Sequence, residues 1–535
     1  MALRMPRILA IAGSAWIVLF VAFLVTGPWT YGTNALVQVE LLLGLAILLL
    51  ALLAIVPDVR RYYGALLRSD VHVSRRAVAI AAAIVFLFLL RIVIAKFHAL
   101  EVNAWDFSVY YDRPLERTAH GSFMHVEEID GSLMGVHAYW VLFAFAPLYA
   151  IHATPYWLLL LQAAAIAAAV VAAFAFVRRA ANDDFIAVVV ALAFLVNRYT
   201  AKALQYVFHP EIFYPLALFL LFWAFLEKRV RWFVVALLLV ASIKEDAILP
   251  VFGFALTAAL VYRRWRWALA AVAIVATVFA VDYALVLPRF AQSKPDAPWF
   301  AGYWGSYGDS LWTALLGILT SPGRVLSRVI SGSLDVWISL AFMPLAGFGW
   351  LLAALPPLLI YCSADMDKLH YLTLYYSMPV LPSVFAAIPF GVQRIARQRR
   401  AIARCCALLV LVASIALGAG YTLRAPHPDR DLVRPMVEIT ASTIWVQGAL
   451  FPHAGYDPRV KVLNERAQRD GRASFLFCTD CNPYIYKTGE LASMIETLRN
   501  DPRYGAVRYG RLVLFEPVSS SAHARSVGAR PPRLP

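Results

Sequence analysis

The feature that most limits what this chain can fold into is a recurrence of apolar runs through its first four-fifths. "ILAIAGSAWIVLFVAFLVTG" is followed within a few residues by "ALVQVELLLGLAILLLALLAIV", and comparable runs continue to about residue 424. A helix rises 1.5 Å per residue, so about twenty residues match a hydrocarbon core roughly 30 Å thick. No water is present there to satisfy the backbone, so such runs must pair their own N–H and C=O groups as helices. The chain is 61% hydrophobic and 15% charged, against about half and a quarter for soluble proteins. The fold class is therefore an α-helical polytopic membrane protein, with about 11–13 membrane segments counted from the apolar runs.

The formal charge of +15 does not indicate nucleic acid. The basic residues sit at the ends of apolar runs, in "RRYY", "SRR", "EKRVR", "YRRWR" and "RIARQRR", as cytoplasmic anchors do. Arg4 and Arg7 place the N-terminus inside. The first run is too long, and too closely followed by a second, to be a cleaved signal peptide. Residues 1–76 form a two-span hairpin and a cytoplasmic loop, with spans at 8–27 and 35–56. Residues 77–424 form the main transmembrane domain, whose first exterior loop, 99–135, is its longest polar interruption. Loops of that length inside a compact domain are usually functional.

Further spans are expected near 156–177, 185–205, 212–227, 268–287, 336–361, 371–391 and 403–424. Parity conflicts if both 136–152 and 156–177 cross, so one of them lies along the interface or re-enters. Residues 311–330 are an open case. Everything after about 425 lies outside: an α/β domain over 425–517, then a disordered Ser-, Arg- and Pro-rich tail over 518–535. In that domain "IWVQGALF", "VKVL", "ASFLFC" and "RYGRLVLFEP" read as strands and "ELASMIETLRN" as a helix.

Residues 232–262 carry cytoplasmic arginines on both sides, so the segment leaves and returns with roughly 15 residues per leg, or about 22 Å. That is short of the core thickness. Its turn, "IKEDA", holds Lys244, Glu245 and Asp246. Each such residue costs about 2.5–3.5 kcal/mol at the centre of a membrane helix, and non-helical backbone at depth survives only beside protein or a water-filled cavity. Pro250 and Gly253 suit a broken helix there. The expectation is a polar cavity opening outward, with these charges at its floor or wall. An ion-pair network that merely caps the turn is the structural alternative.

Two more polar groups reach the same side: Asp106 in "WDF", and His209 with Glu211 in "FHPE". Pro210 and Glu211 also suit an ordinary helix start, and Asp106 could be a solvated loop residue. Asp112, Glu127, Glu128 and Asp130 fit that last description better. The aromatics of "LYYSMP" read as belt or core. Cys478 and Cys481 have CxxC spacing without a second pair to complete a four-thiolate zinc site, and outside the cell a local disulfide fits better.

"AWDFSVYYD", "FHPEIFYPLALFLLFWAFLE", "SIKEDAILPVFGFAL", "LHYLTLYYSMPVLP" and "GALFPHAGYDPRVKVL" together resemble the prokaryotic membrane proteins of domain-of-unknown-function family 2079, over roughly 80–517. That family is related to GT-C glycosyltransferases, which use lipid-linked sugars. The resemblance implies a bacterial inner-membrane protein with its C-terminal domain in the periplasm. It implies a polyprenyl-phosphate sugar as donor, an envelope acceptor and contact with membrane lipid. GT-C enzymes carry an acid in the first exterior loop, and Asp106 matches it as the catalytic base. Lys244 and His209 would stabilise the departing phosphate. Glu211, Glu245 and Asp246 would orient those cations, contact sugar hydroxyls or bind a divalent metal. Some GT-C enzymes have paired acids in this loop, whereas Asp106 is followed by Phe107. The competing readings are a transporter or flippase for a lipid-linked or small anionic substrate, and a non-enzymatic envelope scaffold. No internal repeat supports alternating access, and a scaffold has no need of buried charges.

Overall fold

A computed structural model describes residues 65–518 apart from 66, 292–300, 398, 419–420, 471 and 483–487. The expected N-terminal hairpin and the C-terminal tail therefore lie outside the described residues, apart from the few positions at their inner edges.

Among the described residues three helices are long and apolar enough to cross a membrane: Arg75–His98, Tyr156–Ala181 and Trp265–Phe290. Their surroundings differ. In Tyr156–Ala181 61% of the apolar window is buried inside the protein, against 17% and 22% in the other two. The alanine-rich sequence of Tyr156–Ala181 explains its place, since small side chains let neighbouring backbones approach. It packs against Arg75–His98, Asp184–Val196 and Tyr214–Leu226. Trp140–Ile151 is short, which settles which member of the ambiguous pair has crossing length.

Other spans are bent or broken where the sequence supplies a reason. The expected 185–205 segment is Asp184–Val196 followed by Arg198–Tyr206, bent by 46°; Asn197 sits extended at the break and its side chain accepts from Tyr199 N–H. The expected 371–391 segment is likewise bent, by 75° between Asp367–Ser377 and Leu381–Ala396. The expected 336–361 span is not one helix. It divides into Pro322–Ser339, Met343–Ala346, Phe348–Leu351 and Leu355–Ser363, with Ala341 and Phe342 in the left-handed region and prolines near the starts of two pieces. Residues 311–330 are parts of two helices, Leu311–Thr320 and Pro322–Ser339.

Val230–Ile243 ends at Lys244, a 3-10 turn covers Glu245–Ala247, and Ile248–Leu256 returns. The turn falls where the flanking charges put it. Pro250 and Gly253, however, lie within the returning helix rather than breaking it. Gly253 serves close approach: a Cβ there would stand 2.3 Å from Ala353 O.

The C-terminal domain holds a five-stranded sheet in the order β4-β3-β5-β7-β6. After a small hairpin within residues 99–135 (β1 His125–Val126, β2 Gly131–Ser132), its strands are β3 Ile444–Val446, β4 Val460–Val462, β5 Ser474–Cys478, β6 Tyr504–Tyr509 and β7 Leu512–Pro517. β3 runs parallel to β4 and β5, while β7 is antiparallel to β5 and β6. "RYGRLVLFEP" thus spans a hairpin rather than one strand, because Gly510, at φ +57°, turns the chain. The helix Thr488–Asn500 precedes β6. Cys478 and Cys481 form the local disulfide.

Candidate functional site

The extended backbone at Lys244 (φ −166°, ψ 157°) and the tight turn after it send three consecutive side chains in different directions. Lys244 Nζ donates to Glu211 Oε1 at 2.9 Å, stands 4.0 Å from Asp246 Oδ2 and lies over the Tyr139 ring. Glu245 turns the other way: Oε1 meets His137 Nδ1 at 2.6 Å and Oε2 accepts from Ala138 N–H at 3.1 Å. Asp246 accepts from Tyr214 Oη and, at 2.6 Å, from Tyr361 Oη.

His209 is extended, as a residue before proline prefers, and Pro210 opens the 3-10 turn that carries Glu211. His209 Nδ1 is 2.9 Å from Tyr111 Oη and 3.6 Å from Glu211 Oε2. Its ring lies flat on Tyr375 at 3.6 Å between centroids, with Tyr206 nearly parallel at 5.7 Å. Tyr206 Oη in turn donates to Asp106 Oδ2, which also accepts from Asn103 Nδ2 at 3.0 Å. Asp106 is therefore joined to the charged cluster through Tyr206 and His209. Among the described residues it makes no hydrogen bond or ion pair to Lys244 itself.

The arrangement corrects three expectations. His209, Glu211 and Lys244 are packed, at 4%, 2% and 9% exposure, rather than lining an open cavity. The partly exposed edge consists of Asp106, Tyr206, Tyr375, Tyr376 and Asp246. Tyr375 of "LYYSMP" is a stacking partner of His209, not belt or simple core. Asp112 is 3% exposed and hydrogen bonded, not solvated.

Burying a lysine and a glutamate costs several kcal/mol per ion, repaid only when geometry is good. Two atoms remain open to further bonding: His209 Nε2 and Glu211 Oε2 are buried without a hydrogen-bond partner among the described residues. Glu211 and Asp246 both face the Lys244 ammonium, which occupies the space between them, while Glu245 turns away to His137. No three of these donors converge among the described residues, so the set does not fit a divalent metal. One group of His, Cys and Asp in the C-terminal domain has donors within 4.8 Å of one another: His427, Cys478, Asp480 and Cys481. Its two sulfurs are bonded to each other, and thiolates, not disulfides, ligate metal.

Sequence reasoning missed the tyrosines, His137 and Asp282. A tyrosine in an apolar run carries no signal of its own. Asp282 did carry one, as a lone carboxylate inside the expected 268–287 span; it is fully buried and accepts from Trp140 Nε1 at 2.7 Å.

These features define a multi-span helical membrane protein with a small mixed sheet at its C-terminal end. Residues 96–449 match the family described as "Predicted membrane protein (DUF2079)", and the chain belongs to that family. The crystal structure of ArnT from Cupriavidus metallidurans bound to undecaprenyl phosphate is similar in fold. It aligns at TM-score 0.52 and 13% identity over 84% of this chain and 99% of that one. The Archaeoglobus fulgidus oligosaccharyltransferase in complex with Zn and sulfate aligns at TM-score 0.36 and 15% identity, over 70% of this chain and 57% of that one. No curated protein sequence matches the chain.

Proposed function

We propose that this protein is an inverting glycosyltransferase that takes a sugar from a polyprenyl phosphate and passes it to an acceptor hydroxyl at the periplasmic face of the membrane. One observation carries the reading: a buried His209–Glu211–Lys244 array, with Asp246 at its partly exposed edge, is connected through Tyr206 to Asp106. The similarity in fold to a protein crystallised with undecaprenyl phosphate supports the choice of donor.

In this reading the Asp106 carboxylate accepts the proton of the acceptor hydroxyl as its oxygen attacks the anomeric carbon. The bond from that carbon to the phosphate oxygen breaks, and its electron pair leaves on the polyprenyl phosphate. One displacement inverts the centre. An ammonium has three donor hydrogens, and Glu211 takes one of Lys244's, so another is available to the phosphate. His209 Nε2, as an N–H, supplies a second donor. Fixed donors in a site shielded from water count for more than the same donors in solution. Glu211 holds Lys244, Asp246 meets sugar hydroxyls at the exposed edge, and Glu245 pins the turn to His137 and Ala138.

The test is incubation of purified protein with radiolabelled polyprenyl-phosphate sugars and an envelope extract. Transfer of label that depends on Asp106 supports the reading. Label that stays on lipid across neutral, acidic and amino sugars overturns it.

A further inference from the structure

The eight residues Trp105–Asp112, which carry Asp106 near their start, form a π-helical segment: Arg113 N–H reaches back five residues to Ser108 O. Such segments are rare and occur mostly at functional sites. One stretch of the C-terminal domain, residues 451–460, which runs from beyond β3 into the start of β4, holds the far end of the segment directly and its near end through Phe97.

At the near end, His453 Nε2 donates to Phe97 O at 3.0 Å, and its ring packs on Phe97 at 4.1 Å; Phe97 in turn contacts Phe107, the neighbour of Asp106. At the far end, Asp112 Oδ1 accepts from Tyr456 Oη at 2.8 Å and from Tyr149 Oη at 2.8 Å. Arg113 donates to Gly455 O at 2.8 Å and to Val460 O at 3.3 Å, and its guanidinium lies 4.0 Å from the centre of the Phe451 ring. Asp112 and Arg113 are both buried, at 3% and 6% exposure. Gly455, at φ +77°, makes the turn that aims Tyr456 at Asp112.

A domain that served only to cover this loop would not need a histidine hydrogen bond near one end of the acid-bearing segment and a buried Asp112–Arg113 anchorage at the other. We propose that Tyr456, acting through Asp112, is a positioning residue that makes the C-terminal domain set the placement of Asp106. The significance of that placement rests on the glycosyl-transfer reading; the contact itself does not.

Hydrogen–deuterium exchange on the full-length protein in detergent micelles separates the two. Tyr456→Phe and Asp112→Ala should each speed exchange of the 104–112 amides about tenfold, the scale of one lost hydrogen bond to a charged group. Exchange in Tyr156–Ala181 should not change. Asp112→Asn keeps the acceptor oxygen and should stay close to wild type. Unchanged exchange over 104–112 in both Tyr456→Phe and Asp112→Ala overturns the proposal, whatever the outcome of the transfer assay. Should either variant also loosen Tyr156–Ala181, it has unfolded, and the other decides. Where transfer is measurable, Tyr456→Phe should lower kcat with the donor KM unchanged; an unchanged kcat also counts against positioning.

Discussion

Lys244 Nζ and Glu211 Oε1 lie 2.9 Å apart, and they bring together two parts of the chain that share no continuous element. Each is buried, and each is the main charge partner of the other. Breaking such a pair by removing one member leaves an uncompensated buried charge, at about 3–5 kcal/mol. Glu211→Gln and Lys244→Ala should therefore each lower thermal stability sharply. The double variant Glu211→Leu/Lys244→Met should be more stable than either single change. Tm values for the set check this, and a double variant no more stable than the single ones would mean that the loss does not come from an unpaired buried charge.

Asp106→Asn tests the base. General-base catalysis is worth about 10²–10⁴-fold in rate, so sugar transfer should fall by that range. The Asn103 and Tyr206 hydrogen bonds can still form on the amide oxygen, so expression and Tm should hold. Normal turnover by this variant removes Asp106 from the role.

Tyr375 tests the stacking platform under His209. Tyr375→Phe keeps the ring and should retain most activity. Tyr375→Ala loses a ring pair worth about 0.5–1.5 kcal/mol beyond its buried area and should weaken both stability and transfer. Equal effects of the two variants would assign the role to the hydroxyl instead.

Asp112 gives the interdomain contact a pH dependence of definite sign. Burial pushes its carboxyl up to about 6 from an ordinary 3.8, against the opposing hydrogen bonds of Tyr456 and Tyr149. A group that holds its proton more tightly when folded contributes stability that is fully present below its unfolded value and is lost as pH rises through the folded one. The contact should thus weaken between about pH 4 and pH 6 by this contribution, and Asp112→Asn should flatten that slope. His453 adds a slope of opposite sign over the same range: burial holds its ring down to about 3 from an ordinary 6.5, so the unfolded chain takes up a proton there that the folded one does not, and this contribution rises with pH. The difference between wild type and Asp112→Asn therefore isolates the carboxyl's share. Unfolding of the C-terminal domain followed against pH in both proteins is the measurement.

Gly253→Ala tests the packing behind the charged turn. The added carbon would meet the backbone carbonyl of Ala353, which cannot rotate aside. Overpacking of this kind costs about 1–3 kcal/mol, so a Tm near that of wild type would show that the helix and the Ala353 turn can separate at little cost.

What could be read along the chain was what a bilayer imposes locally. Apolar length gave the membrane class, flanking arginines placed the turn at Lys244, and the CxxC spacing gave the disulfide. Each follows from one segment and its solvent. The breaks at 340–355 and the π-helical turn bearing Asp106 were not legible, because they are set by close backbone approach or by a partner distant in sequence. The hairpin at Gly510 did carry a local signal, a glycine between two apolar runs.

The sequence by itself determined that ionisable residues had to be matched wherever the apolar runs carried them, since an unpaired charge there is too costly to keep. Only the tertiary structure decided the matches: Lys244 with Glu211, Glu245 with His137, Asp246 with two tyrosines, and Asp106 with Tyr206. Aromatic hydroxyls pack as apolar rings until a fold brings an acid within 3 Å of the oxygen, and no local pattern announces that meeting.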